Sequence, residues 1–156
     1  MYDARTAYAS ANDMRGVAST RLSMGVVHSR CQDHAIGYFH YFAALESFER
    51  RNEHIGIVRV VNNIGLSQRN LGRLGDSLAT FDRASKLAQT HQFTALIRTL
   101  SGNRGRTLMA MGRLDEATKS FELHARGTQG NTWKQSALDA RLGSTNERTR
   151  ACVRPP

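Results

Sequence analysis

Apolar residues recur at spacings of three and four along most of the chain. Between residues 57 and 71, Ile57, Val60, Val61, Ile64 and Leu71 mark one face of a helix with a single buried stripe. Gly72-Arg73-Leu74-Gly75-Asp76 interrupts it: Gly72 suits the left-handed position that ends a helix, and Asp76 suits the cap of the next. A second helix is predicted over 76–90, with Leu78, Phe81, Ala84, Leu87 and Ala88 facing inward. The same order returns as a helix near 95–111, a turn at Gly112-Arg113-Leu114 and a helix from Asp115 to about Arg126. The only prolines are Pro155 and Pro156, so nothing between Met1 and Arg154 forbids helix on proline grounds. The predicted class is all-α.

The pattern is an internal repeat. At a shift of 40 residues, Gly25, Gly65 and Gly105 coincide, as do the small residues Gly37, Ser77 and Ala117 and the aromatics Tyr41, Phe81 and Phe121. Cys31, Leu71 and Met111 form another column, and His34, Leu74 and Leu114 a further one; Ala44 and Ala84 meet His124 in a third. A helix pair cannot bury both its faces alone, so the pairs must stack. A mid-helix Gly costs about 0.5–1 kcal/mol relative to Ala. Three of them at one phase predict a close helix contact, with the small column making room and the aromatic filling the space beside it.

The line from Asn63-Ile64-Gly65 through Leu71-Gly72-Arg73-Leu74-Gly75-Asp76-Ser77-Leu78 to Phe81 and Ala84 resembles the tetratricopeptide repeat. So does Gly105 through Met111-Gly112-Arg113-Leu114-Asp115-Glu116-Ala117 to Phe121, while the first copy departs from it at His28, Cys31 and His34. The 40-residue spacing resembles that of the longer-helix variety of this family, found in bacterial signalling proteins and scaffolds. The resemblance covers about residues 16–127 and implies a right-handed superhelical α-solenoid of stacked antiparallel helix pairs. The expected organisation is one domain over 1–143, with repeats at about 16–55, 56–95 and 96–127 and partial helices at 2–14 and 132–143. Residues 144–156 read as a flexible basic tail.

Composition refines this little. The 156 residues include 22 Lys and Arg against 13 Asp and Glu, a formal charge of +9. Contact with nucleic acid would need a contiguous basic face, whereas the arginines are spread along the chain and aromatic content is 7%. Cys31 and Cys152 make no disulfide framework, and no stretch approaches the roughly 18 apolar residues of a membrane span. The expectation is a cytoplasmic protein that does not engage membranes.

Chemistry is sparse. The string His28, Cys31, His34 has metal-like spacing, but the other copies put Gln68 and Leu108, Leu71 and Met111, and Leu74 and Leu114 there, so all three read as packing positions. His40, His54 and His91 fall on exposed phases or in loops, and His124 near a helix end. There is no nucleophile elbow, Walker loop or dinucleotide fingerprint. Neither an enzyme, a cofactor nor a metal is expected.

In a tetratricopeptide superhelix the first helices line a concave groove. The resemblance therefore places candidate peptide-binding residues at Arg30, Arg59, Asn62, Asn63, Arg69, Asn70, Asn103 and Arg106, a polar, basic set without acids. Asn63 and Asn103 share a column, and a ladder of amides there can hold an extended peptide backbone. The arginines suit carboxylates. The expected function is a protein-interaction module for an extended acidic peptide. The alternative is a sensor or regulatory arm of a bacterial signalling or transcription-regulating protein. Terminal helices without partners would also permit homo-oligomers.

Overall fold

The computed structural model describes residues 14–125. Six helices follow one another, α1 (Met14–Arg30), α2 (His34–Arg50), α3 (His54–Asn70), α4 (Leu74–Thr90), α5 (Thr94–Ala110) and α6 (Leu114–Ala125). The predicted partial helices at 2–14 and 132–143 and the tail at 144–156 lie outside the described residues, apart from Met14.

The helices keep a strict metre. Gln32, Asn52, Gly72, Gln92 and Gly112 all have left-handed backbones, with φ between 53° and 76°. These positions are twenty residues apart, so each of the first five helices has 17 residues and a three-residue link. At each link the same two hydrogen bonds close the helix: Gly72 N donates to Arg69 O and Arg73 N to Gln68 O, and Gln92 and Phe93 donate likewise to Gln89 O and Ala88 O. The residue after the left-handed one also starts the next helix, since Arg73 O accepts from Ser77 N and Phe93 O from Ile97 N.

The predicted boundaries shift accordingly. The helix pairs begin at 14, 54 and 94, about two residues before the expected repeat starts. Asp76 is not a cap. Arg73 occupies the cap position, and its guanidinium Nε donates to the Asp76 carboxylate at 2.7 Å. Arg113 and Glu116 copy this with a two-pronged pair at 2.7 and 2.8 Å. Among the described cap residues, Asp33 alone has a side chain that accepts from its own helix, from Ile36 N at 3.5 Å.

Within each pair the glycine column meets the aromatic column directly. A Cβ on Gly65 or Gly105 would stand 2.8 Å from the Phe81 or Phe121 ring, and one on Gly25 2.5 Å from Tyr41. The ring itself, more than the small residue, occupies the space. Ser77 in the small column also ties two pairs together, because its hydroxyl donates to Gly65 O at 2.8 Å and lies 3.2 Å from the Thr107 hydroxyl of the following pair. Around these contacts Tyr41, Val58, Val60, Phe81 and Leu100 form one buried core through the first five helices.

Consecutive helices pack on one another, and α1, α3 and α5 also touch in series, so the first helices of the pairs stand side by side. The fold is an all-α array of stacked antiparallel helix pairs, as expected. Among the described residues, no helix is long and apolar enough to cross a membrane.

Several column readings need correction. Cys31, Leu71 and Met111 sit at helix ends and are exposed, so they do not pack. His40 is buried and stacked on His28, and His54 stacks on His91 with ring centres 3.8 Å apart.

Candidate functional site

The first helices carry a simple electrostatic fact. α1, α3 and α5 hold eight arginines and neither Asp nor Glu. On the described residues the acids fall on α2, α4, α6 and the links. A face made from α1, α3 and α5 is therefore basic wherever its arginines are not paired with those acids.

At the centre of this face, four expected residues come together. Asn103, buried on α5, donates through Nδ2 to Asn62 Oδ1 of α3 at 2.8 Å. Arg106 donates to Asn103 Oδ1 at 3.3 Å. Arg69, one helix over and half-buried, neighbours Arg106; burial first, and the charge of Arg106 second, pull its guanidinium below its ordinary range. Arg69 Nη1 is enclosed and has no hydrogen-bond partner. Two adjacent guanidinium groups with a spare buried donor and no acid form an arrangement complementary to a carboxylate.

The remaining expected residues stand apart. Asn63 donates to Arg59 O of its own helix at 2.9 Å, so it forms no ladder with Asn103. The amide across from Asn103 is Asn62 instead. Arg59 is exposed on α3. Arg30 and Asn70 end their helices and line a separate hollow with Ser29, Gln32, His34 and Leu71.

His124 also departs from its expected setting. Its Nδ1 lies 2.8 Å from Arg98 O, and its ring covers Gly102, where a Cβ would be 3.1 Å away. Where the second pair has Asn62 and Ala84, the third has Gly102 and His124. The exchange of a large and a small residue between facing columns was the sequence signal. Gly102 is thus a packing position and not part of the open face.

His28 is 3.6 Å from the Asp33 carboxylate, and His34 opens α2. Among the described residues no three His, Cys, Asp or Glu side chains gather as metal ligands would. No family model matches the chain, and no curated protein or solved structure matches it.

Proposed function

We propose that the chain is a tetratricopeptide-like interaction module that holds an extended acidic segment of another protein along α1, α3 and α5. The observation that carries this reading is the Arg69 and Arg106 pair, with Arg69 Nη1 enclosed and unpartnered on an acid-free face. A carboxylate placed between the two guanidinium groups would satisfy the orphaned donor and relieve their mutual repulsion at once, and charge-assisted bonds of this type exceed neutral ones roughly twofold. The Asn62 and Asn103 amides, already joined to each other and to Arg106, hold that guanidinium in place and leave amide capacity for a peptide backbone.

The test is fluorescence anisotropy with a short labelled oligoglutamate peptide and its oligoglutamine counterpart. Wild-type protein is expected to prefer the acidic peptide, with affinity falling as salt rises. Arg69→Gln with Arg106→Gln should weaken binding by about tenfold or more, equivalent to about 1.4 kcal/mol. Helical content should be unchanged. Equal affinity of the double variant and wild type would remove the basis for this reading.

A further inference from the structure

The opposite side of the array carries a separate observation. Between α4 and α6, above α5, lies an open cavity of about 620 Å³ lined by Ser85, Ser101, Arg104 and Ser120, with Lys86 and Lys119 at its walls. The repeat supplies an internal comparison for it. One repeat earlier, the positions of Ser85, Ser101 and Arg104 hold Leu45, Val61 and Ile64. Those of Lys86 and Lys119 hold Glu46 and Ala79.

Val61 and Ile64 are core residues, so this scaffold is built with apolar groups at those places. Putting a hydroxyl there is unfavourable unless it is bonded, and Ser101 Oγ donates back to Ile97 O at 2.9 Å. Five lining positions change toward hydroxyl or cation between the two repeats, while Phe42 and Arg83 give way to Asp82 and Leu123.

The charges are arranged for an anion. Asp82 is the sole acid among the described lining residues, and it is committed to Arg104, whose Nε donates to it at 2.6 Å while Nη1 donates to Ser120 Oγ at 2.8 Å. The guanidinium is thereby pinned on the cavity floor. Lys86 and Lys119 join no ion pair among the described residues. They stand exposed at a cavity whose lining includes three serine side chains, and ammonium groups of this kind bind phosphate well. The volume fits a small metabolite. Among the described residues no aromatic side chain lines the cavity, so a nucleobase would find nothing to stack on, whereas Ser85, Ser101, Ser120 and Gln89 suit a polyhydroxylated body.

We infer that this cavity binds a small phosphate ester of the sugar-phosphate class, at a site separate from the peptide face. Arg104 and Arg106 lie two positions apart on α5 and serve opposite sides of the helix, so the two sites are independently testable.

The experiment is thermal unfolding of the full chain titrated with glucose 6-phosphate, inorganic phosphate, sulfate or glucose at constant ionic strength, together with amide shift mapping. A saturable Tm rise of several degrees is expected with glucose 6-phosphate, a smaller one with inorganic phosphate or sulfate, and none with glucose. Shifts should centre on Ser85, Ser101 and Ser120. Lys86→Gln with Lys119→Gln replaces exposed side chains and should abolish the response while leaving oligoglutamate binding intact. A response of equal size in that variant, or no saturable response to either phosphate ligand, would overturn the assignment.

Discussion

Gly65 and Phe81 show how closely a glycine and a ring share space in the array. Alanine at 65 gains about 0.5–1 kcal/mol of helix propensity but drives its methyl against the Phe81 ring, where overpacking costs about 1–3 kcal/mol. Gly65→Ala is therefore expected to lower stability in urea denaturation, and Phe81→Leu in that background to cost less than it does alone; additive effects would mean that the two residues do not compete for space. A second prediction concerns Gln92. Its left-handed backbone is strained for a residue with a Cβ, so Gln92→Gly should raise stability by about 0.5–1 kcal/mol, read from the denaturation midpoint. An unchanged or lower midpoint would contradict this. The glycine column and the left-handed role of Gly72 were legible in the sequence because glycine marks such positions. Gln32, Asn52 and Gln92 carry no such mark, and their identical geometry emerged only with the backbone.

At the scale of elements, the number and order of helices between residues 14 and 125 followed from apolar spacing, but their starting points did not. Asp76 looks like a cap and Asp115 like a first helical residue because acids favour a helix beginning, yet the helices start earlier, at Leu74 and Leu114. The cap positions belong to Arg73 and Arg113, which reach forward to acids in the first turn. This arrangement has a pH signature. The hydrogen bond from Arg113 holds the Glu116 carboxyl below its ordinary range. A depressed carboxylate contributes stability that is complete above its unfolded pKa, about 4.3, and is lost as pH falls through the lower folded value. Urea denaturation from neutral pH down to about pH 3 should therefore show a shallower loss in Glu116→Gln than in wild type. Parallel curves would mean that this pair adds nothing. The contribution is small, as expected for an exposed pair.

At the scale of the whole array, charge among the described residues is sorted by helix class. Second helices and links carry the acids, first helices carry none, and stacking the pairs assembles the first helices into one basic face. That sorting was readable from the repeat register, and so were Asn62, Arg69, Asn103 and Arg106 as members of the face. Their bonding was not readable. Column alignment paired Asn103 with Asn63, whereas Asn103 bonds Asn62 and Asn63 turns back on its own backbone. The cavity between α4 and α6 was likewise hidden, because its residues are scattered over three helices, and Ser101 and Arg104 stand out only when their counterparts one repeat earlier, Val61 and Ile64, are known to be buried. The proposed function requires that acidic peptide seat on the first-helix face at Arg69 and Arg106. Backbone amide and arginine side-chain shifts recorded while oligoglutamate is titrated into labelled protein test it most directly. Saturable shifts at Asn62, Arg69, Asn103 and Arg106, with Lys86 and Lys119 unmoved, are the predicted result; shifts spread over all exposed arginines, or centred on the cavity between α4 and α6, would contradict it.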